Sequence, residues 1–291
     1  MNTIAFNIRK LDINGLQFHI QEWGDPDSPK LFMLHGWMDC GASFQFMAPY
    51  LADKYHIIAP DLRGFGETEH APGGYWFPDY FADLDALLDH YSPDEEVDIL
   101  GHSMGGNIVL MYCGIRRKRI GRALSLEGIG LPEKPAREAP KRYSQWLRQM
   151  KSNKIHNTYR NLAVLQKAIK THNPSLNDDM IEKLSIIWSR PIGHDGSVML
   201  KHDKKHRYVN PIRYNFDDVT ETWKLAKAQI GLVMARNSNQ FTQFRDDGRI
   251  TTTKRILNIS ESNYYIVEDS NHMLHLEQPQ STANCIAEFF A

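Results

Sequence analysis

The chain of 291 residues contains only three cysteines. Cys40, Cys113 and Cys285 are odd in number and lack CxxC spacing. This argues against a disulfide framework or a zinc ribbon, and for a reducing, cytoplasmic setting. No run of about 18 apolar residues occurs, so no membrane-spanning helix is expected. The stretch from Met1 to Gly15 shows neither the apolar core nor the small-residue cleavage pattern of a signal peptide. An excess of one charge is also missing. Lys and Arg number 34 against 35 Asp and Glu, a net charge of −1, which excludes a surface built to hold phosphate backbones. No nucleic-acid partner is expected. Gly64-Phe65-Gly66 is too short for a dinucleotide loop and no Walker loop occurs. Internal repeats and low-complexity segments are absent as well.

Two features imitate binding sites. The basic run Arg116–Arg119 closes the helical pattern that begins at Met104, where cations complement the helix dipole. His202 and His206 have ligand-like spacing, but Lys201, Lys204, Lys205 and Arg207 crowd them with positive charge. That stretch reads as a solvated face, and no metal site is expected.

What is present is core-forming material. Hydrophobic residues make up 42% and charged residues 24%, enough for a large packed interior. The length fits either two domains or one large α/β domain with an insertion. Phe6–Ile13 and Leu16–Trp23 flank Asn14-Gly15, a hairpin signal. The continuous apolar run Leu31–Leu34 reads as a buried strand, as does the pattern at Tyr55–Ala59, and Val97–Leu100 and Arg122–Leu126 read as further strands. Helical spacing separates them at Ser43–Asp53, Phe77–Tyr91 and Met104–Ile115. This alternation predicts an α/β fold: a mostly parallel sheet with helices on both faces and an antiparallel hairpin at its edge.

From Pro132 to Asn215 the rhythm stops. The segment is polar, with helical patterns at Lys141–Lys151 and Tyr159–Lys170 and no strand of the earlier kind. It reads as a helical insertion, residues 132–215, between core segments 1–131 and 216–291. The alternation then resumes with a helix at Phe216–Lys227, strands at Gln229–Ala235 and Tyr264–Glu268, and a closing helix at Pro279–Phe290.

The strongest chemical signal is Gly101-His102-Ser103-Met104-Gly105-Gly106. It matches the G-x-S-x-G nucleophile elbow and stands between a predicted strand and a predicted helix. A serine on so sharp a bend is lifted clear of the sheet, and the glycines must lack side chains where strand and helix nearly touch. The Met104 N–H then lies at a helix N-terminus, suited to stabilise a developing oxyanion.

His35-Gly36, Pro60-Asp61-Leu62-Arg63-Gly64-Phe65-Gly66, the elbow and Asn271-His272 occur in an order that resembles the α/β-hydrolase superfamily. The likeness covers both flanking segments, with the insertion where that family carries its cap. His35-Gly36-Trp37-Met38-Asp39 and Asp195-Gly196-Ser197-Val198 resemble its serine-hydrolase-like branch. The resemblance implies that the loop after Leu34 supplies a second oxyanion donor, the Trp37 N–H. It also puts the catalytic base at His272, with His275, one helical turn on, as the rival. An imidazole titrates near neutrality and can take and return the Ser103 proton.

A carboxylate must hold that imidazole's tautomer. Family members usually place an aspartate after the strand equivalent to Gln229–Ala235, where this chain has Arg236-Asn237-Ser238-Asn239-Gln240. Glu127 ends the Arg122–Leu126 strand, a position for the acid that resembles haloalkane dehalogenases. It is the preferred candidate, with Asp269, Asp246 and Asn239 as alternatives. Serine at position 103 separates the chain from the dehalogenase and epoxide hydrolase branches, whose nucleophile is a carboxylate.

The expectation is therefore a carboxylic ester hydrolase acting on small to medium acyl esters. It would use Ser103, His272 and Glu127, with no metal or organic cofactor. Trp37, His102, Trp146 and Trp188 are candidate pocket residues, Trp223 reads as core, and the assembly is expected to be a monomer or homodimer. Other acyl classes (lactones, thioesters, C–C bonds) and a non-catalytic ligand-binding protein are the alternatives.

Overall fold

A computed structural model describes residues 4–151 and 157–291. Its first strands follow from one dipeptide. Asn14 and Gly15 have φ of 52° and 75°, the two positive values a type I′ hairpin turn requires. Strands β1 (Asn7–Ile13) and β2 (Leu16–Trp23) pair antiparallel across it. β1 is exposed along most of its length and carries Arg9, Lys10 and Asp12, charges that discourage an edge strand from pairing with another chain.

The core then alternates β3 (Lys30–Leu34), β4 (His56–Pro60), α1 (Phe77–Tyr91), β5 (Val97–His102), α2 (Met104–Ile115) and β6 (Ile120–Leu126). An inserted segment follows, with α3 (Ala139–Met150), β7 (Thr158–Tyr159), α4 (Leu162–His172), α5 (Asp178–Ile187), β8 (Ser189–Pro191) and β9 (Val198–Leu200). The core closes with α6 (Phe216–Trp223), β10 (Gln229–Ala235), α7 (Asn239–Asp246), α8 (Arg249–Ile256), β11 (Tyr264–Val267), α9 (Leu274–Glu277) and α10 (Pro279–Phe289). The main sheet has eight strands in the order β1-β2-β4-β3-β5-β6-β10-β11. All pairings from β4 to β11 are parallel.

Both faces of this sheet are covered. In β3, Phe32 and Leu34 join the cluster containing Phe18, Ile58 and Ile99, while Leu31 and Met33 face the cluster of Trp23, Ile57, Leu124 and Phe289. That two-sided burial is why Leu31–Leu34 of β3 is a continuous apolar run rather than an alternating one. Each such fully buried side chain contributes about 1.5–3 kcal/mol of transfer free energy. The expected α/β architecture is present. Because β4 lies on one side of β3 and β5 on the other, the strand order reverses between β3 and β5. In open sheets of this kind, the crevice beyond the carboxyl ends at such a reversal is where ligands bind.

Four local expectations are corrected. The helical pattern at Ser43–Asp53 forms two 3₁₀ turns, Gly41–Phe46 and Ala48–Tyr50, because Pro49 has no N–H to continue a helix. The inserted segment holds a small antiparallel sheet, β7-β9-β8, as well as helices. Its strands are two or three residues long, too short to show a period of two. The helix predicted at Phe216–Lys227 stops at Trp223. Finally, α7 and α8 lie where no helix was predicted; both are short and polar.

The inserted segment has its own cluster of Leu165, Ile169, Met180, Ile181, Leu184 and Val198. Phe46 and Leu276 from the core complete it.

Candidate active site

The bend at Ser103 is forced by what surrounds it. Ser103 has φ 52° and ψ −110°, an unfavourable region for a residue with a Cβ, costing on the order of 1–3 kcal/mol. Side chains on the neighbouring glycines are impossible. A Cβ on Gly101 would lie 2.2 Å from the Gly105 carbonyl carbon, and one on Gly105 would lie 2.2 Å from the Leu34 oxygen. Strand β5, helix α2 and the end of β3 therefore meet backbone to backbone. Met104 opens α2, so its N–H has no acceptor within the helix.

His272 reaches this bend from the loop between β11 and α9. Its Nε2 lies 2.9 Å from Ser103 Oγ and its Nδ1 lies 3.1 Å from Glu127 Oε2. With Nδ1–H donating to the carboxylate, Nε2 is free to accept the serine hydroxyl proton. The His272 side chain keeps 34% of its surface exposed, whereas that of Glu127 is fully covered. One end of the pair is open to solvent and the other is sealed from water.

Glu127 is itself held on both sides. Its φ of 59° turns the chain as it leaves β6. Its N–H donates to the Val233 carbonyl, and its Oε1 accepts the Ala235 N–H at 2.8 Å. The carboxylate thus sits against the end of β10, although it is carried by β6. The loop after β10 has other employment. Arg236 pairs with Glu268 in the open, the Asn237 N–H bonds the Ser270 carbonyl, and Ser238 caps α7. Of the alternative acids, Asp246 pairs with Arg245 and Asn239 begins α7.

The structure brings Ser103, His272 and Glu127 together. The predicted pocket residues are each engaged with other partners. Trp37 is 54% exposed, and its indole N–H donates to the His206 carbonyl. Trp146 packs against Trp76, with ring centroids 6.3 Å apart. Trp188 donates from Nε1 to Asp39 Oδ1 at 2.8 Å. His102 is 1% exposed and turned inward, its Nε2–H donating to the His272 carbonyl at 2.7 Å. Burial, reinforced by the neighbouring imidazoles of His275 and His272, holds its imidazole well below the usual histidine range and therefore neutral. Trp223 is in the core, at 1% exposure.

A second cluster lies beneath the first, and sequence reasoning missed it. Asp39, His102 and His275 are all buried, with candidate ligand atoms within 4.8 Å of one another. They are the set among the described residues that could hold a metal ion. His275 Nε2 bonds Asp39 Oδ2 at 3.2 Å. No local pattern signals the pair, because Asp39 and His275 are 236 positions apart. The expected solvated face at His202–His206 is also corrected. His202 is 5% exposed, and the His206 ring stacks between Phe65 and Tyr75, at centroid distances of 3.8 and 3.6 Å. Burial lowers His202 to about 4 and His206 to about 3.

The family model for the α/β-hydrolase fold matches residues 29–174. The chain belongs to that family. A serine hydrolase-like protein of Danio rerio is 25% identical over 284 residues, covering 92% of this chain and 83% of that protein. Another from Dictyostelium discoideum is 26% identical over 289 residues, covering 94% and 79% respectively. Among solved structures, a thioesterase domain from the curacin biosynthetic pathway superposes with a TM-score of 0.83 at 22% identity, covering 98% of this chain and 100% of that one. At that identity the superposition speaks to the fold. In this α/β-hydrolase chain, no helix among the described residues is long and apolar enough to cross a membrane.

Proposed function

We propose that the protein is a serine hydrolase of carboxylic esters, with Ser103 as nucleophile, His272 as base and Glu127 as the acid that orients it. One observation carries this reading: the hydrogen-bonded run from Ser103 Oγ through both nitrogens of His272 to Glu127, at 2.9 and 3.1 Å. In this mechanism His272 Nε2 takes the Ser103 proton as Oγ attacks the ester carbonyl carbon. The carbonyl oxygen gains the negative charge, and the N–H groups of Met104 and Trp37 stabilise it. Each such donor is worth about 10²–10³ in rate. The proton then passes from His272 to the departing alkoxide, leaving an acyl-serine. Water, deprotonated by the same imidazole, releases the acid and restores Ser103. Glu127 stays ionised throughout and stabilises the imidazolium.

The inserted segment 132–215 is proposed to act as a cap over the core formed by residues 1–131 and 216–291, and so to set acyl preference. The serine hydrolase-like names of the Danio and Dictyostelium relatives agree with this class. The rival, an inert ligand-binding protein, rests on the missing aspartate after β10. It loses that support once Glu127 lies against His272.

A panel of p-nitrophenyl esters, thioesters and lactones tests the reading, with a fluorophosphonate probe reporting serine reactivity. Ester turnover and probe labelling that both vanish in Ser103→Ala support it. Turnover that persists in that variant refutes it.

A further inference from the structure

The loop that carries His272 is gripped from two directions. His102 Nε2–H holds the His272 carbonyl at 2.7 Å, and Asp39 Oδ2 accepts from His275 Nε2 at 3.2 Å, three residues further on. The His102 and His275 rings lie against each other with centroids 4.3 Å apart. Asp39 is 3% exposed and its other oxygen is equally engaged. Oδ1 accepts the Cys40 N–H at 2.9 Å, the Ser43 hydroxyl, and the Trp188 indole N–H at 2.8 Å. Trp188 belongs to the inserted segment, just before β8. The segment's apolar cluster takes Leu276 from α9 and packs Met273 at its border, so the residues flanking His275 are bound to the same segment.

We propose that Asp39 is a positioning residue that couples the seating of the inserted segment to the aim of His272. One carboxylate oxygen holds the segment through Trp188. The other holds His275, and with it the turn that presents His272 to Ser103. The proposal rests on the Ser103–His272–Glu127 reading. The physical basis is the cost of an underbonded buried anion. Burial raises the Asp39 carboxyl, but hydrogen bonding from His275, the charges of His275 and His35, and the Ser43 hydroxyl outweigh it and keep the group below the usual carboxylate range. When the segment lifts, the ion loses its Trp188 donor at a site water does not reach, and the remaining bonds must readjust. The cost of that readjustment links the two positions, and the linkage is reciprocal.

Steady-state kinetics on a short-chain p-nitrophenyl ester, normalised to sites titrated by fluorophosphonate, test the coupling. Asp39→Asn presents an amide N–H to a ring nitrogen that now donates. It is expected to lower kcat per titrated site by about 10- to 100-fold, the size of effect a small misplacement of a reacting group produces. His275→Gln should lower kcat with KM unchanged, and Trp188→Phe should chiefly raise KM. In the double variant Trp188→Phe/Asp39→Asn, the Trp188 effect on KM should be smaller than in the wild-type background, because the acceptor it leaves is then a neutral amide oxygen and not a buried carboxylate.

Wild-type kcat per titrated site in Asp39→Asn, with only the melting temperature lowered, would overturn the proposal; so would effects that simply multiply. Should Asp39→Asn not fold, the opposite kcat and KM shifts of His275→Gln and Trp188→Phe decide it. Binding of one equivalent of Zn²⁺ that disappears in His275→Gln would also overturn it, by making the cluster a ligand set. Activity surviving in Ser103→Ala would instead overturn the mechanism beneath it, whatever Asp39→Asn does.

Discussion

Two histidines on one short stretch of chain each meet a carboxylate brought from elsewhere, and the two pairs differ in surroundings more than in chemistry. His272 meets Glu127 at 3.1 Å and His275 meets Asp39 at 3.2 Å. The His272 side chain keeps a third of its surface open and its second nitrogen faces Ser103, whereas His275 is fully buried and its Nδ1 has no partner. A paired imidazole becomes a base only when its other nitrogen meets a proton donor that substrate can reach. The pair that lacks this can only hold structure in place.

The largest expected effect breaks the first pair at its open end. Ser103→Ala should lower kcat/KM by about 10⁴-fold or more on any ester turned over by the wild type, with folding intact by circular dichroism. The same loss should follow His272→Ala, while His275→Gln should retain measurable turnover. Equal losses in both histidine variants would erase the distinction drawn between the pairs.

The next effect tests the sealed end. Glu127→Gln keeps the side-chain length but removes the charge and leaves an amide facing His272 Nδ1. A loss of about 10³- to 10⁴-fold in kcat is expected, since the wrong tautomer is then favoured. Asp269→Asn and Asp246→Asn should change kcat less than about threefold. A large loss in either would move the acid away from Glu127.

This contrast bears on what was legible in the chain. The elbow was, because glycine at positions 101 and 105 is demanded by backbone contact and leaves a fixed spacing. Glu127 was legible through an absence, the lack of a carboxylate in Arg236–Gln240, together with its place at a strand end. The buried pair was not. Asp39 and His275 are separated by 236 positions, and nothing in local periodicity brings them together. Likewise, β7, β8 and β9 are too short to carry a pattern, and the polar sequences of α7 and α8 gain their helicity from packing residues such as Phe241, Phe244 and Ile250 into the core. His202 and His206 looked solvated because charge surrounds them in sequence, yet stacking between Phe65 and Tyr75 decides where the His206 ring goes.

Those two histidines give a smaller, acid-dependent effect. Their native values of about 4 and 3 lie below the unfolded value near 6.5. Below about pH 6.5 the unfolded chain therefore binds protons that the native state refuses, and stability falls as the pH drops toward 4 and 3. Each group contributes at most about 1.4 kcal/mol per pH unit to that fall. Chemical denaturation between pH 7 and 4.5 should show a shallower decline in His206→Phe than in the wild type. An unchanged slope would mean that the His206 ring is protonated in the native state.

The smallest effect returns to the bend itself. Ser103 holds φ at 52° and ψ at −110°, where any Cβ is strained and glycine is not. If the strain serves only to present the hydroxyl, removing the Cβ should release it. Ser103→Gly should then be inactive yet more stable than Ser103→Ala by about 1 kcal/mol, partly offset by the greater freedom of glycine in the unfolded chain. Urea midpoints of the two variants give the comparison without interference from catalysis. A glycine variant less stable than the alanine one would show that packing around the Ser103 Cβ outweighs the backbone strain. The bend would then be held by contacts at that side chain as well as by Gly101 and Gly105.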